Sequence, residues 1–406
     1  MKKRILFVDD EPDILNSLRR MLRQKRAEWE MVFCESGAAA LEEFSQNSFD
    51  VIISDIRMPE MNGVELLNRI KKQYPQTVRI ALSGHSEPDA LLRAVGPTHQ
   101  FLAKPCDADS LTRVITRSSA IRDLLSDSSL VHFATELESL PSLPSLYTAI
   151  MDELKSPQSS LKKVGDIISS DIGMTAKIMQ LVNSSFFGIP KHISSPAQAV
   201  SMLGINIIRP LVLSMKLFSE ADSNVPKQLD LEQLWHHSYL TSMLAKEIAV
   251  RGELDQKQVD DAYLASLLHN VGVLVLASGS LEQYSSVLQF AGDDTERQLT
   301  SEQEVFGRTH AEIGGYLMGI WGLPDTIVEA IYFQYYPGNA PGEVSFSPLT
   351  AVHVASALVT EKITQNSTSS GNMLDMDYLI ESGLTDELPV WREMLSTMLA
   401  SEENSE

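Results

Sequence analysis

The most constraining feature of this chain is a short apolar run that ends in an acid. Asp50-Val-Ile-Ile-Ser-Asp55 is followed by Ile-Arg-Met-Pro59-Glu-Met-Asn-Gly63. A run of this length predicts a buried strand of a parallel sheet, and open α/β sheets present their chemistry at the carboxyl ends of such strands. Two other segments end alike. Arg4-Ile-Leu-Phe-Val8 runs into Asp9-Asp10-Glu11, and Gln100-Phe-Leu-Ala103 runs into Lys104-Pro105. Three carboxylates at one sheet edge repel one another unless a divalent cation lies among them, and a nearby lysine adds counter-charge. Hard oxygen ligands with open water positions suit Mg²⁺, which commonly shares its carboxylates with a phosphate. The expectation is a doubly wound α/β domain carrying a switchable phosphate site.

On these residues, the segment from 1 to about 122 resembles a response-regulator receiver domain. The resemblance implies that Asp55 accepts a phosphoryl group from the phosphohistidine of a cognate sensor histidine kinase. It assigns Mg²⁺ to Asp9, Asp10, Asp55 and the backbone carbonyl of Arg57. Ser83, which ends the strand Val78-Arg-Ile-Ala-Leu82, matches the hydroxyl that swings to the phosphoryl oxygen. Lys104 matches the lysine that pairs with the same phosphate, and Phe101 the aromatic that turns inward with the hydroxyl. Lys104-Pro105 is the family's site for a cis peptide, a form only X-Pro bonds adopt cheaply. Arg57 and His85 occupy places that tune hydrolysis of the acyl phosphate. Neither is a water-orienting acid or amide, so they point to a retained phosphoryl group or else to plain solvated loop side chains.

A chain of 406 residues predicts two or three domains. Charge is divided unevenly between them. Residues 1–122 hold 18 basic and 17 acidic side chains, whereas the remainder holds 15 basic and 37 acidic, a net of −22. So acidic an output region is a poor match for DNA or RNA, whose binding rests on neutralising phosphates. Cys34 and Cys106 imply no disulfide framework, as expected in a reducing cytoplasm. The start Met-Lys-Lys-Arg leads straight into a strand and does not read as a signal peptide. No apolar run is expected to reach the roughly 18 to 20 residues that span a bilayer.

Helical spacing resumes from Asp107 to about Leu125, and Ser126-Asp-Ser-Ser129 is the best linker, within 123–134. Beyond it strand signals vanish, and segments such as Gln233 to Arg251 and Gln258 to Leu276 read as helices. The second domain is expected to be all-α. A loop at Gln365–Asn372, two short helical segments and a frayed tail from Ser401 to Glu406 make up a C-terminal extension over 361–406.

Residues 135–360 resemble the HDOD domain, a regulatory relative of the metal-dependent HD and HD-GYP phosphohydrolases. The motifs are Leu140-Pro-Ser-Leu-Pro144, Asp166-Ile-Ile-Ser-Ser-Asp171, Leu181-Val-Asn183-Ser-Ser-Phe-Phe-Gly188 and Ala199-Val-Ser-Met-Leu-Gly204. They continue with Leu234-Trp-His-His237, Leu267-Leu-His269-Asn270-Val-Gly272, His310-Ala-Glu-Ile-Gly314 and Trp321-Gly-Leu-Pro324. In the phosphohydrolases, histidines and aspartates hold a cation that makes a water nucleophilic. Here His237 and His269 match, but the dyad aspartate is Asn270. A His-His pair is replaced in Phe333-Gln334-Tyr335-Tyr336, and the late aspartate aligns with Ser356. Asn and Ser bind a divalent cation far more weakly than a carboxylate, so His237, His269 and His310 are not expected to hold a hydrolytic metal. They read as structural histidines, with a residual metal or a small-ligand pocket as alternatives, and Trp235, Trp321, Phe186 and Phe187 read as core.

The chain therefore reads as a cytoplasmic, phosphorylation-controlled regulator in a two-component phosphorelay. Its receiver face from Ala90 to Lys104 and the following helix would change packing, releasing or dimerising a non-catalytic output that acts through protein contacts. Family analogy points to a cyclic di-GMP synthase or phosphodiesterase as the partner. The rival readings are a metal-dependent cyclic di-GMP phosphodiesterase, opposed by Asn270, Gln334 and Ser356, and a transcriptional regulator, opposed by the acidic output.

Overall fold

The computed structural model describes residues 2–84, 97–124, 160–183, 193–204, 229–341, 344–363 and 373–403, with isolated positions between them. Five strands, β1 (Lys3–Val8), β2 (Trp29–Cys34), β3 (Val51–Asp55), β4 (Val78–Gly84) and β5 (Gln100–Lys104), form one parallel sheet in the order β2-β1-β3-β4-β5. Helices α1 (Pro12–Met21), α2 (Gly37–Gln46), α3 (Gly63–Gln73) and α4 (Ala108–Leu124) flank it. The apolar runs are continuous because both faces of the sheet are covered. Ile5 and Phe7 of β1 enter one buried cluster, and Leu6 and Val8 enter another. Side chains start three of the helices. Ser36, Asn62 and Asp107 accept from the amides of Ala39, Glu65 and Ser110, which satisfies donors the first turn leaves open.

The remainder is helical, with no strand among the described residues. Three helices follow the receiver: α5 (Leu161–Ser169), α6 (Ile172–Val182) and α7 (Pro196–Leu203). The central group is α8 (Leu231–Arg251), α9 (Gln256–Leu268), α10 (Val271–Gly279), α11 (Leu281–Ala291) and α12 (Thr295–Phe306). It continues through α13 (His310–Ile320), α14 (Asp325–Tyr332) and α15 (Pro348–Ile363). The C-terminal α16 (Met376–Glu381) and α17 (Leu388–Glu403) bury Tyr378, Trp391 and Leu395 against Leu244 and Ile248 of α8 and Leu358 of α15.

Three expectations change. The segment Gln258 to Leu276 is not one helix: α9 stops at Leu268 and α10 starts at Val271, with His269 and Asn270 at the break. The reason is packing, since a Cβ at Gly272 would lie 1.8 Å from the His310 carbonyl, so α10 meets the start of α13 backbone to backbone. Gln256–Gly279 is nonetheless long and apolar enough, by composition, to cross a bilayer, contrary to the expectation that no such run exists. Because 83% of its most apolar window is buried inside the protein, that apolarity serves the helical core. Finally, the tail does not fray at Ser401, because α17 runs to Glu403. The linker at 126–129, Leu140–Pro144, Phe186, Phe187, His85, positions 90–96, the 365–372 loop and 404–406 lie outside the described residues.

The two parts of the chain meet. Helix α13 packs along α4, and the start of β5 packs on α6. Gln100 Nε2 donates to the Ile320 carbonyl at 2.7 Å, and Gln180 Nε2 donates to the carbonyls of Thr98 (3.2 Å) and His99 (3.0 Å). Phe101 and Ile70 of the receiver belong to the same buried cluster as Ile172, Met179 and Trp321.

Candidate functional site

Sheet register brings the charged strand ends together. Val8 pairs with Ser54, Asp55 with Leu82 and Gly84 with Lys104, so Asp9, Asp55, Ser83 and Lys104 share the carboxyl edge. Carboxylate oxygens of Asp9, Asp10 and Asp55 lie within 4.8 Å of one another. Lys104 Nζ bridges two of them, at 2.7 Å from Asp9 Oδ2 and 2.9 Å from Asp55 Oδ1. Asp9 is wholly buried, and Asp55 is 9% exposed. Burial pushes the Asp55 carboxyl above its ordinary range, and Lys104 offsets this only in part. Burial acts oppositely on Lys104, but its bonds to Asp9 and Asp55 outweigh it and keep the ammonium firmly charged. Ser83 is buried beside Lys104 on the neighbouring strand, Phe101 is buried, and Arg57 is exposed. The Lys104-Pro105 peptide is cis.

The loop after Asp55 is held tightly. Gly63 donates to the Ile56 carbonyl at 2.8 Å, and a Cβ there would sit 1.8 Å from the Asp55 carbonyl oxygen. Only glycine lets the start of α3 press this closely against the end of β3. The donor set fits Mg²⁺: three carboxylates at one partly open edge, hard oxygens throughout, with charge left unbalanced by the single lysine.

His237 and His310 of the helical domain line a second site, a cavity of about 230 Å³, together with Asn270, Tyr335 and Thr360 among others. His237 Nε2 bonds Thr360 Oγ1 at 2.9 Å, and the Asn270 amide nitrogen lies 3.4 Å from His237 Nδ1 and 3.2 Å from Ser238 Oγ. His269 donates through Nδ1 to the Ser266 carbonyl, and its Nε2 is buried without a partner among the described residues. Burial lowers His237 to about 4 and holds His269 well below its ordinary value, so both rings are neutral near pH 7. Gln334 caps the break in the helix pair, its amide donating to the His269 carbonyl at 3.0 Å. Ser356 is buried on α15 but does not line the cavity, and Thr360, one turn further along, meets His237 instead. Among the described residues, the side chains drawn within metal-binding range in a group of three or more are the receiver acids.

Sequence reasoning missed Glu302. This wholly buried carboxylate accepts from His310 Nδ1 (2.8 Å), the His310 amide (2.8 Å), Tyr284 Oη (3.0 Å) and Gln298 Nε2 (2.9 Å). Burial raises its pKa, but His310 and these donors outweigh burial and leave it below the usual range. On its other side, His310 Nε2 lies 3.0 Å from Tyr335 Oη. No motif marks Glu302 in the sequence, where it sits in the polar run Thr295-Glu-Arg-Gln-Leu-Thr-Ser-Glu302 and looks solvated.

Comparison with known proteins agrees with this division. The response regulator receiver domain family matches residues 5–116, and the HDOD domain family matches 140–337. An uncharacterized protein of Treponema pallidum is 28% identical over 237 residues, 58% of this chain and 44% of that protein. The transcriptional regulatory protein GlrR of Escherichia coli is 38% identical over 112 residues, 27% of this chain and 25% of that protein. The chain thus spans less than half the length of either relative. A crystal structure of the MmoQ response regulator from Methylococcus capsulatus is 21% identical, with a TM-score of 0.49, covering 63% of this chain and 98% of that one. The chain therefore carries a response regulator receiver domain over residues 5–116, followed by an HDOD domain over residues 140–337.

Proposed function

We propose that the protein is a phosphorylation-controlled response regulator whose HDOD output is not an enzyme. The observation that carries this reading is Lys104 bridging Asp9 and Asp55 at the sheet edge, beside Asp10. In the reaction, an Asp55 carboxylate oxygen attacks phosphorus, a P–O bond forms, and the P–N bond to the kinase imidazole breaks as that ring takes up a proton. Lys104 neutralises the phosphoryl oxygens, and Ser83, one strand away, supplies a hydroxyl to them. Asp9, Asp10, Asp55 and the Arg57 carbonyl would hold Mg²⁺, which supplies further positive charge when bound. The rest of the site keeps Asp55 fixed: Gly63 closes the loop behind it, and burial excludes water from one side.

The non-catalytic reading of the output rests on Asn270, whose N–H faces His237, and on Thr360, which takes up the other nitrogen of the same ring. Output then runs through contacts with another protein, and an enzyme of cyclic di-GMP turnover is the partner class we favour by analogy. The net charge of −22 over residues 123–406 opposes DNA binding, and GlrR, a transcriptional regulatory protein, matches over 112 residues only. We place the protein in the cytoplasm, where a sensor kinase would meet it.

The test is incubation of purified protein with Mg²⁺ and acetyl phosphate, followed by intact-mass measurement. One added phosphoryl group is expected, absent without Mg²⁺ and absent in Asp55→Asn; labelling that survives Asp55→Asn would refute the assignment. For the output, chelator-sensitive hydrolysis of cyclic di-GMP by protein supplied with Mn²⁺ or Fe²⁺ would refute the non-catalytic reading.

A further inference from the structure

The cavity of the helical domain has the wrong size and the wrong charge for a cyclic dinucleotide. Its volume is about 230 Å³. At about 30 Å³ for each water of the liquid, that is space for roughly eight waters, or for an organic molecule of about ten non-hydrogen atoms. Two carboxylates line it, Asp230 at the start of α8 and Asp293 between α11 and α12, and both are exposed, so they stand at its rim. Among the described lining residues there is no lysine or arginine. The histidines do not make up for this. His310 is paired with the Glu302 carboxylate at 2.8 Å, so the two together carry no net positive charge, and burial keeps His237 neutral near pH 7. Residues 123–406 add a field of net charge −22. Phosphates are repelled from such a mouth and organic cations are drawn to it.

Inside the rim, the walls are already set. The bond between His237 and Thr360 ties α8 to α15, and the Glu302 bonds to Gln298 and His310 tie α12 to α13; His237, Thr360, Gln298 and His310 all line the cavity. Leu234, Val273 and Leu288 give it an apolar side. At the inner end Asn270 is 6% exposed. Its Nδ2 donates to Ser238 Oγ at 3.2 Å and lies 3.4 Å from His237 Nδ1, whereas its Oδ1 accepts from no donor among the described residues. A buried amide oxygen without a donor is costly, so an N–H that enters the cavity gains a hydrogen bond there. An apolar wall with a few convergent polar groups is the ordinary composition of a small-molecule site. A bare metal ion would leave that wall unused, and the cavity lacks a cluster of three close ligands among the described residues. Two separate carboxylates ask for more than one positive charge on a body that is otherwise carbon.

We propose that this cavity binds a small aliphatic polyamine. Its ammonium groups pair with Asp230 and Asp293 at the rim, its methylene chain lies against Leu234, Val273 and Leu288, and an inner N–H donates to Asn270 Oδ1. The site does not depend on phosphotransfer at Asp55, and it deepens the non-catalytic reading of the output. Hydrolysis of cyclic di-GMP would refute that reading, whereas amine binding is measured without any reaction.

The experiment is a calorimetric titration of the full chain with spermidine at physiological salt, repeated with cyclic di-GMP. One spermidine per chain is expected, with no binding of cyclic di-GMP in the cavity. The double variant Asp230→Asn with Asp293→Asn should weaken spermidine at least tenfold while leaving the fold intact, because Asn caps α8 as well as Asp does. Asn270→Leu should weaken it roughly tenfold, the effect of losing one hydrogen bond to a charged group. If Asn270→Leu fails to fold by circular dichroism, the rim variant alone decides. No spermidine binding would overturn the proposal. So would binding of several equivalents unchanged by the rim variant, which would mean attraction to the acidic surface alone. Binding of cyclic di-GMP that is lost in Asn270→Leu would overturn it as well, by showing that the cavity takes an anion.

Discussion

At the scale of single residues, the two sites use buried charge in opposite ways. Burial, and then the neighbouring Asp9, push the Asp55 carboxyl above its ordinary range, so the ionised form that the proposed phosphotransfer needs carries a cost in the folded receiver. Functional sites commonly trade stability in this manner. Asp55→Asn should therefore raise the stability of the metal-free protein by about 1 kcal/mol, and added Mg²⁺ should stabilise the parent more than the variant, as thermal unfolding would reveal. Glu302 is the reverse case. It collects donors from Tyr284, Gln298 and His310, and Glu302→Ala would strand all three inside the helical core. Breaking such a buried network costs on the order of 3 kcal/mol, measurable by urea unfolding. Its lowered carboxyl pKa contributes stability that is present above the ordinary carboxyl range and is lost as pH falls through the folded value. His237 adds to acid sensitivity in the same direction. Its pKa falls to about 4 in the fold, so between its ordinary value of 6.5 and about 4 the unfolded chain binds the extra proton and stability declines as pH falls. Unfolding followed across that window should show a shallower slope in His237→Gln.

At the scale of elements, close backbone approach decides what the motifs mean. Gly272 lets α10 meet the first turn of α13, and the Cβ of Gly272→Ala would collide with the His310 carbonyl. Overpacking of this kind costs about 3 kcal/mol and should also disturb the His310–Glu302 pair, visible as a lower midpoint in denaturant. The same feature explains where sequence reading stopped. Strands β1, β3 and β5 were legible because two-sided burial writes itself as apolar runs ending in Asp9, Asp55 and Lys104. Helix α8 was legible because its boundaries carry ordinary signals, an Asp230 cap and a closing Gly252. The division of Gln258–Leu276 was not, since His269 and Asn270 continue the apolar periodicity and the break answers to a helix some forty residues away. Glu302 and Thr360 escaped for a related reason. A buried polar side chain whose partners come from distant helices leaves no local spacing to read. The resemblance aligns Ser356 with the late aspartate, and it is Thr360, one turn further along the same helix, that bonds His237.

At the scale of the whole molecule, the receiver and the helical domain form a continuous apolar cluster, with Lys177 buried where they meet. Lys177 makes that junction responsive to pH. Its docked pKa is about 7 against 10.5 for a free lysine, so between these values the undocked form holds a proton that the docked form lacks. Docking should therefore strengthen as pH rises through this window, by up to about tenfold per pH unit. It should lose that dependence in Lys177→Met. The charge of Lys71 adds to the lowering of Lys177, and His99, held well below its ordinary value by burial, does not titrate in the same range. Coupling between the sites must also be reciprocal. If a phosphoryl mimic at Asp55 loosens the contact, a variant with a weakened contact must bind the mimic more tightly. The most direct measurement is a calorimetric titration of beryllofluoride, in excess Mg²⁺, into the full chain and into Gln180→Ala. A several-fold tighter affinity in Gln180→Ala is the predicted result; equal affinities would mean that the helical domain does not read the state of Asp55 through this contact.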